Sequence, residues 1–86
     1  MRKIYGNILK KCFYRNLVQA RVRMELTQSK MADKLAMDDR SYINLEHGKS
    51  CCSAVTLVLF LLYCCDSSAF LEEMRYEIEK ASETAA

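Results

Sequence analysis

Hydrophobic positions recur at three- and four-residue intervals through most of the chain, and polar residues divide the pattern into five segments. The first segment spans residues 8–25 and carries the apolar positions Leu9, Phe13, Leu17, Ala20 and Met24. This spacing is that of one helix face, so it predicts a first helix over the segment. The other four predicted helices follow residues that typically cap a helix N-terminus: Thr27, Asp38, Ser53 and the group at 66–68.

The second and third predicted helices are short, and only residues 36–38 separate them. Gly48 suits the position just after the third helix, where a left-handed backbone is common. In the third helix Tyr42 and Leu45 share the apolar face. The pattern therefore predicts that residues 27–47 form two short helices joined by a turn. The outward face of the second one carries Arg40, Ser41 and Asn44.

The fourth segment, residues 54–65, is apolar nearly all round and predicts the central, most buried helix. It is shorter than the roughly 20 residues that cross a bilayer, and no secretory signal precedes it, so we expect a cytoplasmic protein with no membrane contact. The fifth helix is predicted over about residues 68–81. We expect the small core to leave part of its apolar stripe uncovered. We therefore expect a dimer surface near the fourth or fifth helix. Together the segments predict one all-α domain over residues 1–86.

Composition agrees with helices and adds a charge asymmetry. The chain has no Pro and two Gly among 86 residues, few for a β-rich fold. Residues 1–30 carry eight Lys or Arg and one acid, whereas residues 51–86 carry two Lys or Arg and six acids. A basic N-terminal third is typical of a protein that meets a polyanion, or of a solvated surface.

Five cysteines are present, four of them in two adjacent pairs, and His47 is the only histidine. Neither zinc-ligand spacing nor a nucleophile-and-base set is found, so we expect no enzyme activity, no metal and no cofactor. Reduced thiols of a cytosolic protein are the simpler interpretation of the cysteines, and a redox or metal sensor is an alternative.

Two groups of landmark residues stand at a distinctive mutual spacing. They are Arg21 with Leu26, Thr27 and Gln28, then Met31, Ala32 and Leu35, and then Leu45, Glu46, Gly48 and Lys49. Over residues 17–63 this pattern resembles the Xre-type, phage-repressor-like helix-turn-helix family, including short regulators of Firmicutes and mobile elements. The resemblance implies a five-helix, lambda-repressor-like domain with the helix-turn-helix at helices two and three. It also implies a sequence-specific DNA-binding transcriptional repressor that acts on double-stranded DNA, for which we expect a homodimer.

The resemblance also implies a role for individual residues. Gln28 would touch the DNA backbone, and Asp39, Arg40 and Asn44 would read bases. Ser41 and the segment from His47 through Lys49 to Ser50 would lie near phosphates. Arg21 and Glu46 would form an ion pair that ties the first helix to the third.

Several positions depart from the family pattern. Glu25 and Ala36 stand where the family has glycine, which predicts a shifted turn or an unfavourable backbone angle. Ile43 replaces a small polar residue, and Asp38 and Asp39 put negative charge at the end that would approach DNA.

A protein-interaction module of antitoxin-like type, docking through its acidic C-terminal third, is the main alternative function. A positive surface around Gln28, Arg40 and Lys49 favours DNA, and a negative one favours a protein partner.

Overall fold

The computed structural model describes residues 2–85 and contains five α-helices and no β-strand over that range. The helices are α1 (Arg2–Arg23), α2 (Gln28–Lys34), α3 (Asp39–Glu46), α4 (Ala54–Tyr63) and α5 (Ser67–Ala85). The predicted all-helical class and the five predicted helices are confirmed.

Polar side chains cap the starts of three helices. Thr27, Asp38 and Ser53 precede α2, α3 and α4, and each has an extended backbone. Each side chain accepts a hydrogen bond from the backbone N–H three residues further on, at 3.1, 3.0 and 3.2 Å respectively. These bonds satisfy N–H groups that have no partner inside the helix, and so they fix where the helices begin.

The two long helices, α1 and α5, lie antiparallel and are both longer than predicted. Near one end the hydroxyls of Tyr5 and Ser82 are 3.1 Å apart, and further along Asn16 Nδ2 donates to Glu73 Oε2 at 2.9 Å. The prediction that the first helix begins at residue 8 is wrong, because α1 begins at Arg2. The first turns of α1 have an apolar pattern too weak to predict a helix, and packing against α5 stabilises them.

All five helices contribute to one core. Phe13, Phe60 and Phe70 from α1, α4 and α5 form two edge-to-face ring contacts, with centroids 5.0 and 6.0 Å apart. The other buried apolar side chains are Cys12, Leu17, Ala20, Met31, Ala32, Leu35, Tyr42, Leu45 and Cys64. The inward faces predicted for α2 and α3 are therefore confirmed.

The prediction that the fourth helix is the most buried element is wrong. Within α4 only Thr56 and Phe60 are buried. On its other side Val55, Val58 and Leu62 are between 52% and 69% exposed, and Tyr63, the last residue of the helix, is 66% exposed. An apolar sequence shows that a helix could be buried on every side, but here the core reaches only one side of it. No helix in the described part of the chain is both long and apolar enough to cross a membrane.

Candidate nucleic-acid interface

The stretch from Thr27 to His47 forms two short helices rather than one continuous rod. Leu35 ends α2 by donating its backbone N–H to carbonyls of the preceding turn, at 3.1 Å. The chain then turns through Ala36, and Asp38 caps α3. This arrangement presents α3 as a separate, firmly started helix of 8 residues.

A single buried carboxylate joins α1, α2 and α3. The Glu46 side chain is 5% exposed and accepts from Arg21 Nε at 2.6 Å and from Arg21 Nη2 at 3.3 Å. It also accepts from Gln28 Nε2 at 3.2 Å and from the Tyr42 hydroxyl. Arg21 Nη1 donates to the Leu26 carbonyl at 3.1 Å, next to the start of α2. The ion pair expected between Arg21 and Glu46 is thus present, with two further donors.

The donors around Glu46 determine its protonation. Burial by itself raises the pKa of Glu46, but the hydrogen bonds from Arg21, Tyr42 and Gln28 outweigh it and hold the pKa below its usual value. Burial, followed by the bond to Glu46, raises the pKa of Tyr42. At neutral pH the site therefore contains a carboxylate, a guanidinium and a neutral phenol, and the phenol donates a hydrogen bond to the carboxylate.

The lowered pKa of Glu46 predicts a loss of stability in acid. Since the folded pKa lies below the unfolded one, the stabilisation is complete above the unfolded value of about 4.3 and falls as the pH drops towards the folded pKa. At pH values below that unfolded pKa, we expect the urea concentration at the midpoint of unfolding to decrease. Glu46→Gln should show a smaller decrease than the original protein, because residue 46 no longer titrates. Equal decreases in the two proteins would exclude Glu46 as a source of the acid sensitivity.

The outward face of α3 carries two polar side chains with no partner inside the protein. Arg40 is exposed and Asn44 is half-buried one helical turn later, on the same side. Within residues 2–85, neither side chain forms an ion pair or a side-chain hydrogen bond. The five guanidinium donors and the amide donors and acceptor therefore remain available to a ligand.

The two aspartates at the start of α3 are partly engaged in local structure. Asp38 Oδ1 accepts from the Ser41 hydroxyl at 2.7 Å, and this bond, with the one from the Ser41 backbone N–H, lowers the pKa of Asp38. Asp39 Oδ1 accepts from Ser29 Oγ at 3.2 Å, which joins the start of α3 to α2. Asp38 is therefore a capping residue, and Ser41 uses its hydroxyl proton inside the protein.

Gln28 differs most from its expected role. Its amide was expected to touch the DNA backbone, but it is half-buried and donates one N–H to Glu46. A phosphate contact would depend on its second N–H. In the structure, the Gln28 side chain connects α2 to α3.

The segment after α3 is fixed against α1. Gly48 has φ +70°, and a Cβ at this position would lie 3.1 Å from the ring of Tyr14. Both the backbone angle and the closeness of the ring therefore favour glycine at this position. On either side of it His47 and Lys49 are exposed, and Lys10 lies one turn before Tyr14 on the same side of α1. Lys49 therefore places a positive charge just after the end of α3.

The two positions at which the resemblance implied glycine adopt the backbone angle that glycine favours. Glu25 and Ala36 both have φ +57°, as expected from their replacement of glycine. We expect Ala36→Gly to raise the free energy of unfolding by about 0.5–1 kcal/mol, because removing Cβ strain outweighs the added freedom of the unfolded chain. Ala69→Gly, in the first turn of α5, should instead destabilise the protein, by no more than about 0.5–1 kcal/mol. Urea unfolding measures both, and a destabilised Ala36→Gly protein would contradict the strain.

The cysteines differ in their exposure: Cys12 and Cys64 are buried, Cys52 and Cys65 are half-buried, and Cys51 is exposed. All five are free, and burial raises the pKa of Cys12, Cys64 and Cys65. Burial and then the neighbouring Cys51 raise the pKa of Cys52 to about 12. Over the described residues, no three His, Cys, Asp or Glu side chains are grouped so as to hold a metal ion. The sensor alternative therefore gains no support.

Two contacts of this region escaped the sequence analysis. Tyr42 was expected to be an ordinary core aromatic, yet its hydroxyl donates to Glu46. The four-residue spacing of Tyr42 and Glu46 in one helix was the available signal. The packing of Tyr14 on Gly48 left no comparable signal, because it joins residues distant in sequence.

Comparison of the chain with protein-family models, with curated proteins and with solved structures finds no match in any of the three. The function of this surface is therefore inferred from its own residues and geometry.

Proposed function

We propose that the protein is a sequence-specific DNA-binding transcriptional regulator, a repressor of the Xre type on a lambda-repressor-like fold. In this proposal α2 and α3 form the helix-turn-helix, and α3 enters the major groove. The observation that carries the proposal is the outward pair Arg40 and Asn44. Both lack partners inside the described protein, while the polar groups around them are used to hold the two helices in place.

The chemistry of this pair matches the edges of base pairs. An arginine guanidinium can donate two hydrogen bonds to guanine O6 and N7, and an asparagine amide pairs with adenine N6 and N7. Arg40 is in the first turn of α3, at the end that would enter the groove, and Asn44 is one turn later on the same side. Asp39 is beside them and can accept from a cytosine amine with its second carboxylate oxygen.

The charges around the pair support a DNA partner. Lys49, after α3, and Lys10, on α1, are not in any ion pair found among residues 2–85. The two carboxylates at the start of α3 each accept hydrogen bonds within the protein, Asp38 from Ser41 and Asp39 from Ser29. Unpaired cations flanking a reading helix are suited to phosphates on both sides of the groove.

The Glu46 site supports the proposal by making α3 rigid. Base reading requires side chains to be held within fractions of an ångström, which a loosely packed short helix does not provide. Arg21 and Gln28 connect α1 and α2 to Glu46 at the end of α3. The helix is thereby positioned before DNA binds, so less ordering is needed on binding.

The experiment that tests the proposal is selection of bound duplexes from a random pool, performed at two salt concentrations. We expect a short recovered motif and an affinity that falls steeply with salt. Because one helix of this length reads few base pairs, we expect two half-sites about one helical turn apart. Arg40→Lys is the matched variant, since it keeps the charge but loses the two-bond geometry, and its motif should lose one defined base. Binding without sequence preference would overturn the proposal and favour the protein-interaction module.

A further inference from the structure

We infer that a cavity between α1 and α5 binds a free amino acid with an aliphatic side chain, such as leucine, isoleucine or methionine. The cavity has a volume of about 270 Å³ and lies along residues 4–15 of α1. Pockets for drug-sized ligands begin at about 300 Å³, so this cavity suits a smaller molecule. Six of the residues that line it belong to α1, and the seventh, Glu77, belongs to α5.

Two opposite charges in the cavity have no partner inside the protein. Lys11 is exposed and Glu77 is half-buried, and within residues 2–85 neither forms an ion pair or a side-chain hydrogen bond. The other cation of the lining, Arg15, is neutralised by Glu73, whose Oε1 accepts from Arg15 Nη2 at 2.5 Å. The cavity therefore offers one ammonium and one carboxylate to a ligand.

The two free charges lie at the same level along the α1–α5 pair. Two polar contacts join the antiparallel helices on either side of the cavity: Arg15 with Glu73, and Tyr5 with Ser82. Counting along both helices between these contacts places Glu77 opposite Lys11. A small ligand can therefore reach both charges at once.

The floor of the cavity is apolar. Ile4, Ile8 and Cys12 follow one another at four-residue steps, so their side chains form a row along α1. Cys12 is buried, Ile8 is half-buried and Ile4 is exposed. Burial, followed by the charge on Glu73 and with a contribution from Glu77, raises the pKa of the Cys12 thiol, so this residue stays neutral. The row thus offers an uncharged surface, without an aromatic ring, on which an aliphatic side chain can be buried.

A free amino acid is the class of ligand that matches all of these features. Its carboxylate can pair with Lys11 and accept from the Asn7 amide one turn earlier, while its ammonium pairs with Glu77. A simple carboxylic acid would place its negative charge beside Glu77, and a simple amine would place its positive charge beside Lys11. An uncharged apolar molecule would remove water from both charges without replacing it.

The site does not depend on the proposed function. None of the residues that line the cavity is among those proposed to contact DNA, and binding of the amino acid is measured without DNA. A protein that binds the amino acid but reads no DNA sequence would leave this inference standing and remove the other.

The test uses variants in which glutamine removes one charge. Lys11→Gln and Glu77→Gln change the cavity, whereas Lys3→Gln on α1 and Glu79→Gln on α5 are matched controls, since both residues are exposed and neither lines the cavity. Titration of the isotope-labelled protein with L-leucine, followed by amide NMR, measures the Kd and locates the site. Leucinamide, which lacks the carboxylate, and isocaproic acid, which lacks the ammonium, are the comparison ligands. Circular dichroism verifies that each variant is folded.

We expect L-leucine to bind with a Kd of roughly 0.1–1 mM and to shift the amides around Lys11 and Glu77 most. Lys11→Gln and Glu77→Gln should each raise the Kd by about 10-fold or more, and the two control variants should change it by less than about 2-fold. Leucinamide and isocaproic acid should each bind at least about 10-fold more weakly than leucine.

Three results would overturn the inference. The first is that leucine, isoleucine and methionine all fail to bind at about 10 mM. The second is that isocaproic acid or leucinamide binds as tightly as leucine, which would make the cavity a site for a singly charged or apolar molecule. The third is that Lys11→Gln and Glu77→Gln leave the Kd for leucine unchanged, or that the shifts lie outside the cavity.

Discussion

Glu46→Ala is expected to lower the free energy of unfolding by about 3 kcal/mol, which is a large fraction of the stability of a domain of this size. The substitution leaves Arg21 as a partly buried cation without its carboxylate. It also removes the acceptor of the Tyr42 hydroxyl and of the Gln28 amide. Each unsatisfied buried donor adds its own desolvation cost. The change should lower Tm by about 15 °C, measurable by thermal denaturation followed by circular dichroism.

Glu72→Ala is the matched control for this variant. Glu72 and Arg75 form an ion pair at 3.9 Å in which both side chains are about 70% exposed. Because water screens such a pair, its loss should change stability by no more than about 0.5 kcal/mol. Similar Tm values for Glu46→Ala and the original protein would show that the three-helix connection at Glu46 does not stabilise the fold.

Arg40→Ala is expected to weaken binding to the selected duplex by about 10- to 100-fold, and to relax specificity at one base pair. The reason is that a two-bond contact to a base edge is lost without any internal contact of the protein being lost. Stability should therefore stay unchanged, in contrast to Glu46→Ala. Fluorescence anisotropy with the selected duplex and with single-base variants measures both effects.

Two other substitutions test whether the effect of Arg40→Ala comes from a base contact and not from the loss of charge. Lys49→Ala should weaken binding to all duplexes alike. It should also reduce the slope of log affinity against log salt concentration by about one, as expected of a phosphate contact. Arg75→Ala removes an exposed arginine from α5 and should have little effect at moderate salt. If Arg40→Ala and Arg75→Ala reduce affinity equally, the arginine of α3 acts only through its charge.

The features that could be predicted from sequence are those set by local interactions. The starts of α2, α3 and α4 depend on a side chain bonding to a backbone N–H three residues away, so Thr27, Asp38 and Ser53 were recognisable. The angle at Gly48 likewise follows from residue type and position, whereas the same kind of angle at Ala36 was predictable only from the glycine that the family pattern has there. The outward orientation of Arg40 follows from helical periodicity alone.

The features that escaped prediction depend on residues distant in sequence. Periodicity identifies sides of α4 that could be buried, but whether a neighbour covers Val58 or Leu62 is decided by the rest of the fold. The first turns of α1 are helical alongside α5, which lies some 70 residues later in the chain. For Gln28, sequence could not distinguish a donor to phosphate from a donor to Glu46, since both use the same amide.

The most direct test of the proposed DNA-reading role of α3 is a titration of isotope-labelled protein with the selected duplex, followed by backbone amide NMR. We predict the largest shift changes at residues 39–44 and 47–50, and small changes on the exposed side of α5 around Tyr76. Shifts concentrated on α5, with the amides of residues 39–44 unchanged, would contradict the assignment of α3 as the reading helix.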